Sequence, residues 1–219
     1  MIKKSKSRWR IRLNLIGLML IIFCAGLFAN SEASGKSMGL GLDAGYVLLS
    51  EDNLGNSPAV GLNFFYFLSK QFKVELKAAF IPIKVDNDPE GLSEGNLNMI
   101  PTQLSLQYCF KLGQRFIPYI GAGVGYYLNM FSLKNEDEWL DLGFNINEEV
   151  DGVFGFHFGA GMDYFIKPNM AFNIDVRYCI ANFTGSYTIS EEVSGISHSG
   201  EIEGKLNHIL FGVGIKFLF

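Results

Sequence analysis

The residues best equipped for chemistry are three histidines, three cysteines and a surplus of carboxylates. His198 lies in the run Ser197-His198-Ser199-Gly200-Glu201, which puts hydroxyl, imidazole and carboxylate within five residues. A hydrolytic site also needs a nucleophile, a base and an orienting group held in one geometry. The spacing fixes no such geometry, so the chain reads as a non-enzyme, and no cofactor is expected. Gly121, Gly123 and Gly125 suggest a phosphate-cradling loop, but their period is two and no helical pattern follows, so the dinucleotide fingerprint fails. Glu136-Asp137-Glu138 lacks the spacing of a calcium loop, and no metal site is expected.

The remaining candidates depend on the elements that carry them. The chain has 219 residues, 48% of them hydrophobic, with 25 Gly and 20 Phe and only 18% charged. An ordinary soluble domain is about 25% charged. A disordered chain, a basic nucleic-acid binder and a disulfide-stapled mini-protein are excluded. Residues 1–33 read as a cleaved signal peptide. Lys3, Lys4, Lys6, Arg8, Arg10 and Arg12 precede an apolar run from Leu13 to Ala29, then the small-x-small site Ser31-Glu32-Ala33. Cys24 follows Ile22 and Phe23, where a lipidation signal wants small residues. The mature chain, 34–219, keeps 12 bases and 21 acids, a net charge of −9.

From Met38 onward the apolar pattern has period two, the signature of strands. Eight segments carry it: Leu40–Leu48, Val60–Leu68, Phe72–Phe80, Ile100–Phe110, Ile120–Leu128, Phe154–Tyr164, Phe172–Ile180 and Ile209–Phe219. One face of each is uncharged, and Thr102 is its only small polar residue. The other face is rich in glycine and carries four acids and four bases: Asp43, Glu75, Asp163, Asp175, Lys73, Lys77, Arg177 and Lys216. Water would not demand such balance. The narrow interior of an eight-stranded barrel does, because buried charges must pair.

The expected fold is therefore all-β, an eight-stranded antiparallel up-and-down transmembrane β-barrel. Joints alternate between short turns (near Ser69–Gln71, Lys111–Arg115 and Lys167–Asn169) and longer loops (Ser50–Ser57, Pro82–Leu97, Asn129–Asp151 and Ala181–Lys205). Aromatics gather at both ends of the apolar face, as interfacial girdles do. The other 17 mature acids fall in the four long loops. Cys109 and Cys179 point inward from opposite ends of their strands, too far apart for a disulfide. Two lumen zones are expected. A paired charge network of the eight residues above floors an outer pocket lined by Ala79, Met99, Pro101, Tyr127, Val153, His157 and Leu210. Pro101 cannot donate to the ladder, which suggests a lateral exit.

Three segments resemble the outer membrane protein W family: Gly61–Phe80 (GLNFFYFLSKQFKVELKAAF), Ile100–Phe131 (IPTQLSLQYCF with RFIPYIGAGVGYYLNMF) and Gly159–Tyr178 (GAGMDYFIKPNMAFNIDVRY). The terminal alternation Phe211, Val213, Ile215, Phe217, Phe219 resembles the assembly signal of bacterial outer-membrane barrels. Where the family opens its last strand with Asp-Pro-Trp, this chain has Leu206-Asn207-His208. The resemblance implies a monomeric barrel in the bacterial outer membrane that passes small hydrophobic solutes. Its expected partners are outer-membrane lipid and lipopolysaccharide, the barrel-assembly machinery and such solutes, with no nucleic acid. The alternative is a non-conducting structural or adhesin-like barrel using its acidic loops. A lipid A-modifying enzyme, with His198 at the outer rim, is a more distant alternative.

Overall fold

A computed structural model describes residues 38–51, 53–85, 95–110, 115–133, 140–141, 143–191 and 197–219. The expected signal peptide lies outside these residues, as do Glu136-Asp137-Glu138 and all four acids of the 86–94 segment. Ten strands are described: β1 Met38–Leu49, β2 Ser57–Phe67, β3 Phe72–Val85, β4 Gly95–Cys109, β5 Phe116–Leu133, β6 Phe144–Val150, β7 Val153–Lys167, β8 Met170–Glu191, β9 Ser197–Lys205 and β10 His208–Leu218. Eight of them close a barrel. Each of β1 to β4 pairs antiparallel with the next, β5 pairs with β7, β7 with β8 and β8 with β10. The ring closes where β1 pairs with β10 from Gly39↔Leu218 to Leu49↔His208. Closure leaves every wall strand flanked on both sides, which hydrocarbon requires of a spanning sheet.

The alternation places side chains as expected. Outward-phase residues are exposed or half-buried, Leu62 exposed by 62% and Phe154 by 80%, whereas Lys73 on the inner face is 0% exposed. Leu128 is the outward-phase exception and is buried. This distribution, apolar outside and charged inside, inverts that of a soluble barrel and fits a wall bathed in lipid. No helix among the described residues is long and apolar enough to span a membrane.

The long loops Asn129–Asp151 and Ala181–Lys205 need correction, because each contains a strand. β8 runs 22 residues, about twice what a bilayer crossing needs. Its outer half continues as the centre of a three-stranded sheet, pairing with β6 from Val150↔Gly185 to Phe144↔Glu191 and with β9 from Asn182↔Lys205 to Ser190↔Ser197. β6 carries β7's side of the ladder outward, and β9 carries that of β10. The Asp151 N–H donates to the Thr184 carbonyl and the Leu206 N–H to the Ala181 carbonyl, bridging the joints at 2.9 and 2.7 Å. Glu201 and Glu203 gave β9 the look of a solvated loop, yet a sheet with a wet face accepts charges there.

On the opposite side, the β2–β3 turn is tied locally. Ser69 Oγ accepts the N–H groups of Gln71 and Phe72 at 3.2 and 3.1 Å.

The barrel lumen as candidate functional site

The eight inward charges form one chain of alternating sign: Lys73, Asp163, Lys216, Glu75, Arg177, Asp175, Lys77, Asp43. Lys73 Nζ lies 2.7 Å from Asp163 Oδ2. Lys216 Nζ bridges Asp163 Oδ1 at 3.1 Å and Glu75 Oε2 at 3.3 Å. Arg177 pairs with Glu75 through Nη2 and with Asp175 through Nε. Lys77 Nζ closes the chain between Asp175, at 3.5 Å, and Asp43. All eight are buried, and the set is neutral. Burying this many charges is tolerable only when each has an opposite partner and further hydrogen bonds.

Neighbouring groups complete the plug. Tyr119 lies under the Lys73 and Lys216 ammonium groups, with its ring centre 4.4 Å from Lys73 Nζ and 5.2 Å from Lys216 Nζ, and Phe65 sits 5.6 Å from each. These are cation–π distances. Asn173 Nδ2 donates to Asp163 Oδ1 at 2.7 Å and to Tyr119 OH at 3.0 Å, and Asn63 Nδ2 donates to Asp43 Oδ2 at 3.1 Å. Tyr119 and Phe65 share the inward phase with the glycines and charges, and that phase was the signal by which they could have been found. The glycines make the room. A Cβ at Gly212 would stand 2.5 Å from Asp175 Oδ1, and one at Gly159 3.1 Å from Arg177.

Above the plug lies a thin polar tier. Ser105 Oγ and His157 Nε2 share a 2.8 Å hydrogen bond, and Arg177 Nη1 donates to Gln103 Oε1 at 3.2 Å. His157 therefore belongs with the plug and not with the apolar pocket lining expected for it. The spaces beside the charges are water-sized, about 10 Å³ each. One is lined by Ser105, Gln107, Tyr119, His157, Asp175 and Arg177, the other by Asp43, Gly61, Lys77 and Leu210 among others.

The outer tier is apolar. Ala79, Met99, Tyr127 and Leu210 are buried there, with Pro101 buried too and Val153 partly so. Met99, Tyr127 and Leu210 pack with Val47, Ile81, Ile83 and Leu97, and Val153 joins from the side. The outer pocket is thus a filled apolar core, because the inward alternation of β3 continues past Ala79 into two isoleucines. Cys109 and Cys179 are both buried free thiols.

β3 loses ladder partners at this level, first on its β4 flank and then on its β2 flank. Its ladder with β4 passes from Ala78↔Thr102 to Ile81↔Met99, skipping Ala79 and Phe80 opposite Pro101 and Ile100. Its ladder with β2 ends at Val60↔Phe80, before Pro58 and Pro82. Each proline lacks the N–H that a rung needs. Beyond the breach, Ser57 Oγ donates to the Pro82 carbonyl and the Gly55 N–H to the Lys84 carbonyl.

A barrel with this plug, apolar tier and terminal phenylalanine also matches a family profile: the OmpW family, over residues 21–219. The chain belongs to the OmpW family. It is a multi-pass β-barrel of the bacterial outer membrane. An outer-membrane protein of Sinorhizobium fredii, y4mB, is 26% identical over 216 residues, which cover 97% of this chain and 80% of that one. Among solved structures, OprG from Pseudomonas aeruginosa aligns with a TM-score of 0.66 at 20% identity, covering 85% of this chain and 98% of its own. Outer membrane protein W of E. coli aligns with a TM-score of 0.50 at 21% identity, covering 85% of this chain and all of its own. Both likenesses are of fold.

Proposed function

We propose that this OmpW-family barrel passes small hydrophobic solutes from the outside into the membrane, and that it is not an enzyme. The carrying observation is the stacking of an apolar tier on a fully paired charge plug, beside a wall strand whose two ladders are interrupted one after the other. An apolar solute displacing side chains such as Met99 and Leu210 meets matched surroundings. Going straight on would require it to strip water-sized polar spaces and ion pairs, which apolar groups cannot replace. The sideways route at Ala79–Pro82 opens into hydrocarbon. Outer-membrane lipid and lipopolysaccharide would surround the barrel, which would act as a monomer after insertion by the barrel-assembly machinery.

Liposome uptake of an apolar dye tests this. Pro101→Val supplies the missing N–H and should close the rung. One hydrogen bond is worth about 1 kcal/mol net, so uptake should slow roughly fivefold with the fold unchanged. Uptake equal to that of empty liposomes, together with silent planar-bilayer recordings, would overturn the transport reading. The second reading, a non-conducting barrel that binds a partner through its outer face, draws on the packed lumen and on exposed Glu201 and Glu203 of β9. Replacing both with Gln should abolish adhesion on that reading and leave uptake intact on the first.

A further inference from the structure

One buried pair in the lumen takes no part in the plug. Cys179 on β8 and His208 on β10 are directly opposed across the ladder, both 0% exposed, at the level where the apolar tier meets the polar one. The tautomer of His208 follows from its surroundings. Its Nδ1 lies 2.6 Å from the Leu206 carbonyl oxygen, and a carbonyl only accepts, so Nδ1 carries the proton. In the neutral ring the lone pair then sits on Nε2. That buried atom has no hydrogen-bond partner, and the ladder register sets its residue directly opposite Cys179. The Tyr127 ring meets the imidazole edge-on, with centroids 5.9 Å apart, and holds it in place.

The sulfur has a second fixed neighbour. Gln103 Oε1 accepts from Arg177, which turns the amide nitrogen toward the thiol: Gln103 Nε2 stands 3.3 Å from Cys179 Sγ and 3.1 Å from Tyr127 OH. A thiol, an acceptor nitrogen beside it, a carbonyl that orients the ring and an amide donor next to the sulfur make the constellation of an activated nucleophile.

We propose that Cys179 and His208 form a covalent capture site for small apolar soft electrophiles, namely α,β-unsaturated carbonyl compounds. His208 Nε2 takes the thiol proton as sulfur forms a bond to the β-carbon. The electron pair of the carbon–carbon double bond moves onto the carbonyl as an enolate, beside the Gln103 amide. The imidazolium then returns its proton to the α-carbon. All atoms of both reactants end in one thioether, and no other reagent is consumed. The site is stoichiometric and requires no turnover. It rests on the reading that small apolar compounds enter the upper lumen.

Cys109 is the internal control. It is equally buried, but its partner across the β4–β5 ladder is Tyr119, and no imidazole faces it there. The test uses the folded, full-length mature barrel in liposomes, treated with N-ethylmaleimide, digested and read by site-resolved mass spectrometry. Cys179 should label at least about tenfold faster than Cys109. His208→Gln should slow Cys179 about a hundredfold, the usual contribution of a positioned base, and leave Cys109 unchanged. Heat-modifiable gel migration reports folding of the variant. Should that variant not fold, the ratio of the two cysteines in the wild-type barrel still decides.

Labelling of Cys179 only after unfolding, labelling no faster than Cys109, or a rate indifferent to His208→Gln would each overturn the proposal. N-ethylsuccinimide, the saturated analogue, reports entry alone. Uptake of the analogue while N-ethylmaleimide leaves Cys179 unmodified defeats the capture site and leaves transport standing, whereas exclusion of both compounds defeats both readings.

Discussion

Glu75→Gln should be the most informative single change in the lumen. Glu75 joins Lys216 to Arg177 in the middle of the charge chain and is 1% exposed. Glutamine keeps the shape of the side chain, so packing is nearly constant while the plug goes from neutral to +1. Removing one member of a buried ion pair costs about 3–5 kcal/mol, because its partner is left charged and dry. The order of the chain supplies the control. Lys216→Met added to Glu75→Gln leaves two neutral remnants, Lys73–Asp163 and Arg177–Asp175–Lys77–Asp43. The double variant should therefore recover most of the loss, to within about 1–2 kcal/mol of the wild type, since replacing a whole pair by apolar groups is often close to neutral. Reversible unfolding in denaturant and lipid vesicles, followed by gel mobility and tryptophan-independent circular dichroism, measures both. A double variant as unstable as the single one would refute the reasoning, as would a single variant losing less than about 1 kcal/mol. Either result would mean that water enters and screens the plug.

Other perturbations probe the same architecture. Gly212→Ala places a methyl 2.5 Å from Asp175 Oδ1, whose carboxylate cannot swing away because Arg177 and Lys77 hold it; a loss of about 1–3 kcal/mol is expected by the same unfolding assay. Ser105→Ala removes the hydrogen-bond partner of buried His157 Nε2 and should cost about 1–3 kcal/mol, with His157→Phe in the same background restoring part of it. At the joint between β9 and β10, Asn207 Oδ1 accepts the Ala181 N–H at 3.1 Å, so Asn207→Ala should speed hydrogen exchange at Ala181 and spare amides in the β8–β10 ladder below. Unchanged exchange there would mean that the outer sheet holds β8 without this contact.

Much of this was legible because a barrel wall repeats with period two and its two faces meet different solvents. Phe172, Ile174 and Val176 could face only lipid once Asn173, Asp175 and Arg177 faced the other way. The phase of one residue then settled the phase of all. The same logic put the eight charges inside, where neutrality required them to pair. It stopped short at β6 and β9, whose glutamates resemble loop residues and whose strand character comes from the unmet hydrogen bonds of a long β8. It also stopped at the outer pocket. Ile81 and Ile83 were as plainly inward as Ala79, but whether they leave a space or fill it depends on how far the opposite wall stands.

Alternation along the chain thus determined the class of fold, the strands of the wall, the face each residue occupies and the composition of the plug. Those are properties of neighbours one and two residues apart, and the lipid and lumen on either side read them directly. Only the tertiary structure decided the order of the ion pairs, from Lys73 to Asp43, because it joins residues from five strands. It alone brought Cys179 against His208, set His157 beside Ser105 and loosened β3 at Ala79–Pro82. Each of these depends on register across the closed ring, and closure is set by all eight strands together.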